Sequence, residues 1–351
     1  MTHLNPRVVA HLASHHGLIT PGQARDLGMS QTYITHMLRE RLWLVLHRGV
    51  YVDAVVWRAL DPWHGQPLLR ARAALMVMKR DVVLSHDSSV HALRLDYLAP
   101  YGPPGPFVHV TGRGSANAWV RGRVKHHLAR FADDDVVEVG GLKVLGEART
   151  VVDIAREHGY RAGLVTADSA LRRGLPKAAL WNVADAMASW RHITVVRDVI
   201  EHADHRSQSA AEVLARDFLQ ELGLGDVDLQ WPRQRSDGRI AWCDLRIGRV
   251  VFEVHGKIKV LSPADGGVAS TSAAEVLWED RKRERLVATD GLALCNLYWA
   301  DFFGSNRVAA QARVRAEVAH TIERFGDNVL PDRLDRVARE IRAREDRPDA
   351  S

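Results

Sequence analysis

Cysteine is nearly absent from this chain, with two residues, Cys243 and Cys295, among 351. Both fall inside apolar, strand-like runs. A disulfide framework and a cysteine-based zinc site are therefore excluded, and each thiol reads as a small buried hydrophobe of a reducing compartment. Long apolar runs are missing too. No stretch approaches the ~20 residues that cross a bilayer, and the opening MTHLNPRVV lacks the apolar core of a secretion signal. The expectation is a cytoplasmic protein with no membrane partner. Internal repeats and low-complexity tracts are also missing. Neither sign of charge dominates: 48 basic against 43 acidic residues leave +5, with a pI near 9.4. Such a balance permits a nucleic-acid partner without requiring one.

What is present is globular. Hydrophobic residues make up 46% of the chain, and its length exceeds one ordinary core, so two or three domains are expected. Residues 1–60 read as three short helices and a hairpin. PRVVAHLASHHG is the first helix, with Val8, Val9 and Leu12 on one face. Thr20, Pro21 and Gln23 form a capping box that opens the second, which stops at Gly28. Ser30 caps the third, where Ile34, Met37 and Leu38 point inward. LWLVLHRGVYVDA supplies two strands around a turn. This is the layout of a winged helix-turn-helix, whose third helix enters the DNA major groove. Gln31, Thr32, Thr35, His36 and Arg39 are the polar residues left for that face, and Arg48 sits at the wing tip. Ordinary solvated polarity explains the same residues if the helix only faces water.

Residues 61–204 alternate helices and short strands. Ser85 is placed as a helix cap, with His86 and Asp87 as polar first-turn residues. Asp153, among Val151, Val152 and Ile154, is expected to anchor backbone or an arginine. LVTADSALRRGL reads as a helix continuing through LWNVADAMASW. No catalytic constellation stands out here.

Residues 205–325 read as helix, strand, hairpin, helix, strand, helix, and residues 326–351 as a terminal helix and tail. In WCDLRIGRVVFEVHGKIK, Gly248-Arg249 fits a type II′ hairpin turn. That register pairs Ile247 with Val250, Leu245 with Phe252 and Cys243 with Val254 on an apolar face. Asp244 then lies opposite Glu253, and Trp242 opposite His255, on the other. Two facing carboxylates need a cation between them, or one carboxyl must keep its proton. Mg²⁺ held by Asp244 and Glu253 is one solution; a salt bridge to Arg246, Lys257 or Lys259 is the other. Glu212, in the first turn of a helix capped by Ser209, is a third acid, although Ser209 and Glu212 also spell a capping box.

Glu212, Asp244 and Glu253-Val254-His255, followed by a charged helix and Trp-Ala-Asp, resemble the PD-(D/E)XK nuclease core in its very-short-patch-repair-like branch, over residues 207–304. The resemblance implies a restriction-endonuclease-like α/β domain cutting phosphodiesters with Mg²⁺, with His255 or Lys257 orienting water or stabilising the phosphate. His255 departs from the family pattern, which places a second acid there. In the first 200 residues, ITPGQARDLGMS, LHRGVY, LSHDSS, ARTVVDIAR and ALRRGL resemble AbiEi-type antitoxins of type IV toxin–antitoxin systems. Actinobacterial proteins often join the two halves. The resemblances imply a mixed α/β, multidomain chain. Three readings follow: a DNA-binding regulator with double-stranded DNA and a cognate toxin as partners, a metal-dependent DNA endonuclease, or a protein-interaction module.

Overall fold

The computed structural model describes residues 5–99, 107–113, 118–234, 238–256 and 291–345. The chain forms two compact units, residues 1–203 and 204–351. Among the described residues, no helix is long and apolar enough to cross a membrane.

Unit 1 begins with α1 (Pro6–Ser14), β1 (Leu18–Ile19), α2 (Pro21–Asp26), α3 (Gln31–Arg39), β2 (Trp43–His47) and β3 (Val50–Asp53). The three strands make a small antiparallel sheet in the order β1-β3-β2. The local chemistry follows the sequence. The Thr20 hydroxyl accepts the Gln23 N–H while the Gln23 side chain accepts the Thr20 N–H, and Ser30 accepts the Tyr33 N–H. Val8, Leu12, Ile34, Met37 and Trp43 are buried in one core, where each large side chain contributes roughly 1.5–3 kcal/mol. Val9 is 49% exposed, against expectation. It follows Val8 directly, and 100° per residue carries it off the buried stripe.

After α4 (Ala54–Ala59) and α5 (Gly65–Val77) comes a six-stranded mixed sheet with the order β6-β7-β5-β4-β9-β8. Its strands are β4 (Val82–Leu84), β5 (Val108–Gly112), β6 (Trp119–Arg121), β7 (Val124–Leu128), β8 (Val136–Val139) and β9 (Leu142–Leu145). A central antiparallel pair, β4 and β5, is flanked by parallel neighbours β9 and β7, each continued by a hairpin to the edge. Helices α6 (His86–Leu93), α7 (Glu147–His158), α8 (Tyr160–Arg172), α9 (Lys177–Ala186) and α10 (Ile193–His202) complete the unit. The continuous helix expected from residue 164 to 190 is in fact α8 and α9. Gly174 at φ +98° and Pro176 at the N-cap of α9 end one helix and start the next.

Unit 2 holds α11 (Ala210–Leu222), β10 (Asp228–Gln234), β11 (Ile240–Ile247), β12 (Val250–His255), β13 (Ala293–Tyr298), α12 (Gly304–Phe325) and α13 (Asp332–Glu345). The sheet order is β10-β11-β12-β13, antiparallel except for the last pair. The hairpin turn lies where the sequence puts it. Gly248 has φ +57° while Arg249 is not among the positive-φ residues, as a type II′ turn requires. The turn is also clamped from outside. Asn328 Oδ1 accepts the Arg249 N–H at 2.8 Å, and a Cβ on Gly248 would lie 1.8 Å from the Asn328 carbonyl oxygen.

Candidate functional site

On α3, Ile34 and Met37 are buried while Gln31, Thr32, Thr35 and Arg39 are exposed and His36 is half-buried. The period of 3.6 thus separates an anchored face from a polar one. Ser30, Gln31, Thr32, Tyr33, Thr35, His36 and Arg39 line one shallow hollow. Arg39 donates to Glu40 at 3.0 Å and lies 3.4 Å from His36 Nδ1, so its guanidinium is already oriented. Arg48 does not line this hollow. It borders a separate one with His47, Arg70, Phe107 and Arg123, because the wing turn lies beside the start of β5 and the β6–β7 turn.

In unit 2 the predicted register holds for the three pairs nearest the turn: Ile247 with Val250, Arg246 with Val251 and Leu245 with Phe252. The ladder stops one pair short of Asp244 and Glu253. Asp244 Oδ2 instead accepts the Val254 N–H at 2.8 Å, so a side chain replaces a backbone acceptor where the pairing ends. Cys243 shares a cluster with Trp231, Val251, Leu292 and Ala338. Burial still alternates through residue 244: Cys243, Leu245 and Ile247 are buried, Asp244 and Arg246 half-buried. Arg246 pairs with Asp228 at 3.1 Å and donates to the Gly248 carbonyl, in place of the salt bridge to Asp244.

Glu212 is nearly buried and its carboxylate is committed. Oε1 accepts the Ser209 hydroxyl, and Oε2 accepts the Gln208 N–H and the Gln230 amide, all at 2.9 Å. Burial raises its pKa, and the charge of Asp244 raises it further. Asp244 and Glu212 are therefore close enough to repel. His255, half-buried at the end of β12, sits 3.1 Å from Asn296 Oδ1 and stacks on Tyr298. Glu253 is half-buried on β12. Lys257, Lys259 and the charged helix around residue 281 lie outside the described residues. In the Trp-Ala-Asp stretch, Asp301 accepts the Tyr298 N–H and pairs with Arg313.

A denser constellation occupies unit 1, where the sequence showed none. Among the described residues, the group of three metal-type ligands that converges is His86, His109 and His127, all buried, with ligand atoms within 4.8 Å of one another. This triad could hold a metal ion; among the described residues the carboxylates of unit 2 do not make such a group of three. His86 comes from the first turn of α6, His109 from β5 and His127 from β7. Thr111 pairs with His127 across the parallel strands, and His109 lies two residues before Thr111, so both imidazoles share one face. His109 Nδ1 is 3.0 Å from His127 Nε2, and the His86 ring stacks on His127 with centroids 3.5 Å apart.

Carboxylates surround the triad. Asp87 Oδ2 lies 3.7 Å from His109 Nε2 and accepts the Tyr97 hydroxyl at 2.6 Å, while Oδ1 is 2.7 Å from His158 Nε2. Asp153 Oδ2 is 4.0 Å from His86 Nδ1 and accepts from Arg149 at 3.1 Å. Lys125 forms an ion pair with Glu157. Burial pushes the His127 imidazole down to about 3, helped by His109, and pushes His86 well down, helped by His127 and His109. Burial would raise Asp87, but the His158 hydrogen bond and the charges of His109 and His158 hold it far below the carboxylate range. Burial raises Asp153 against the pull of Arg149.

The cap assigned to Ser85 is a position without its bond. Ser85 is the N-cap residue of α6, but its hydroxyl has no hydrogen-bond partner. His86 and Asp87 are thus not surface polar residues of a first turn; the sheet covers them. The signal available in the sequence is one histidine inside FVHV and two inside VKHHL, at strand positions where an apolar residue would be cheaper to bury.

Residues 6–52 match the family model described as Transcriptional regulator, AbiEi antitoxin. The matched span covers α1 to β3, the three-helix-and-wing part of unit 1. Two Mycobacterium tuberculosis proteins, one from strain CDC 1551 / Oshkosh and one from strain ATCC 25618 / H37Rv, both named as uncharacterized, are 30% identical over 115 residues. That alignment covers 31% of this chain and 42% of each relative. The N-terminal region is therefore of the AbiEi antitoxin, transcriptional-regulator type.

Proposed function

We propose that the protein is a DNA-binding transcriptional regulator of the antitoxin class, reading double-stranded DNA in the cytoplasm through α3 and partnered by a cognate toxin. The observation that carries this reading is the split character of α3. Ile34 and Met37 lock the helix into the core while Gln31, Thr32, Thr35, His36 and Arg39 are left together on one hollow. The family match over residues 6–52 supports it. Gln, Thr and Arg are side chains that read base edges or grip phosphates, and Arg at the end of such a helix suits either. Arg48 reaches phosphate from the wing.

A gel shift against the protein's own promoter tests the reading. Arg39→Ala and Thr35→Ala should each weaken specific binding by about 10-fold or more, the equivalent of roughly 1–3 kcal/mol per base contact. Arg48→Ala should weaken binding across sequences alike and flatten the salt dependence. Both α3 variants binding like wild type would remove the recognition helix from the proposal.

One observation favours a second reading, Mg²⁺-dependent DNA cleavage in unit 2. Burial raises the pKa of Glu212, and the charge of a second carboxylate, Asp244, raises it further. Against it, Glu212 is engaged through both oxygens in capping α11, and Asp244 accepts backbone N–H. Nicking of supercoiled plasmid in Mg²⁺, lost in Asp244→Ala, would reverse this order.

A further inference from the structure

We infer that His86, His109 and His127 form a binding site for a late first-row divalent cation of the Zn²⁺ class, with Asp87 and Asp153 as positioning carboxylates behind the ligands. Three features of the pocket converge on this, independently of the DNA-binding proposal.

The first is donor chemistry. Imidazole nitrogens suit Zn²⁺, Co²⁺, Ni²⁺ and Cu²⁺, whereas Mg²⁺ and Ca²⁺ require oxygen. His109 Nδ1 and His127 Nε2 are 3.0 Å apart. Two nitrogens on one tetrahedral zinc at about 2.0–2.1 Å each are separated by roughly 3.3 Å, so this edge is close to preformed. Rotation of His86 off its stack closes the remaining side.

The second is the arrangement behind the ligands. A metal-bound imidazole is ordinarily held by a carboxylate on its other nitrogen, which fixes tautomer and ring angle. His109 turns Nδ1 toward the triad and Nε2 toward Asp87, 3.7 Å away. Asp87 is itself fixed by Tyr97 and His158. His86 turns Nδ1 toward Asp153 at 4.0 Å, leaving Nε2 for an ion. Of the two acids, Asp153 already pairs with Arg149 at 3.1 Å and Arg156 at 3.6 Å, so Asp87, held by Tyr97 and His158, is the carboxylate whose charge faces the imidazoles most directly.

The third is incomplete satisfaction. His86 Nδ1 is buried without a hydrogen bond, Asp153 Oδ1 is buried with only an ion pair to Arg156 at 3.6 Å, and His86 has φ +47°, a region uncommon outside glycine. Strain and orphaned polar atoms in one buried place are the mark of a site whose geometry serves something besides packing. Binding that fixes the Nδ1–H tautomer of His86 would turn that orphaned nitrogen into a donor facing Asp153 Oδ2, 4.0 Å away.

The test uses the full chain, without a histidine tag and stripped of metal, titrated with Co²⁺ and then Zn²⁺. One Co²⁺ per chain should bind with visible d–d absorption of a low-coordinate nitrogen site, and one equivalent of Zn²⁺ should bleach it. His109→Gln should lower Co²⁺ affinity by at least about 100-fold, and Asp87→Asn, which keeps all three ligands, by about 10- to 100-fold. His15→Gln, at the exposed residue just after α1, should leave the spectrum unchanged. Absence of the band in wild type overturns the inference by itself, whatever the variants do. An undiminished band in folded His109→Gln places the ion elsewhere and overturns it equally. Excess Zn²⁺ raising the Tm of wild type but not of folded His109→Gln supports it.

Discussion

The two polar groups of this protein handle burial in opposite ways. In unit 2, Glu212 and Asp244 rest on groups close by: the cap of α11, the Gln230 amide and the Val254 N–H. In unit 1, the imidazoles of His86, His109 and His127 rest chiefly on one another and on two carboxylates, with atoms left unpaired. Acids that terminate a helix and a ladder are explained by structure alone. Histidines sunk in a sheet, at a strained residue and without backbone partners, are not. The comparison therefore moves the chemically suggestive site from the hairpin, where the motif lies, to the sheet of unit 1.

The largest effect that sharpens this contrast is expected at Gly248. Its positive φ and its approach to Asn328 both forbid a side chain. Gly248→Ala should destabilise unit 2 by about 3 kcal/mol or more, read as a lowered urea midpoint. An unchanged midpoint would mean that the hairpin is not fixed from outside and that the spacing of its acids is soft.

Next in size is a pH effect confined to unit 1. His86, His109 and His127 are depressed below 6.5 in the folded state, so between their folded values and 6.5 the unfolded chain binds more protons. Stability is then fully present above pH 6.5 and falls on acidification, by up to about 1.4 kcal/mol per pH unit for each histidine. Urea unfolding of metal-stripped protein at pH 7.5, 6 and 5 should show this fall. His127→Gln should reduce its slope, and a slope equal to wild type would mean that this imidazole is not held neutral.

The smallest effect is expected at Glu212. If its work is capping, Glu212→Ala should cost about 1 kcal/mol, the usual worth of such a cap, and Glu212→Gln less, since an amide keeps one acceptor and relieves the repulsion from Asp244. Both should bind promoter DNA like wild type. Plasmid nicking abolished by Glu212→Gln at unchanged stability would break the contrast and restore the nuclease-like reading.

Much of this was legible because it is local. Thr20 and Gln23 announce a helix start, Ser30 another, and Gly248 a turn, each acting on groups within a few residues. The same locality explains the misreadings. Local pattern puts Val9 with Val8, runs one helix across Gly174 and Pro176, and gives Ser85 a capping bond that its hydroxyl does not make. The hairpin register holds for the three pairs nearest the turn, and at Asp244 a side chain takes over the acceptor role that period-two reasoning reserves for the backbone.

The amino-acid sequence alone determined the winged-helix elements, the exposed polar face of α3 and the bend at Gly248, because capping, helical period and turn geometry are short-range. Only the tertiary structure decided what the polar residues beyond that face do. His86, His109, His127 and Asp153 come from four elements spread over 68 positions (153 − 86 + 1), and no period or motif links them. Parallel pairing of β5 with β7, with α6 against β5 and α7 against α6, brings them within a few ångströms, and burial then gives their charges and lone pairs an importance they lack along the chain.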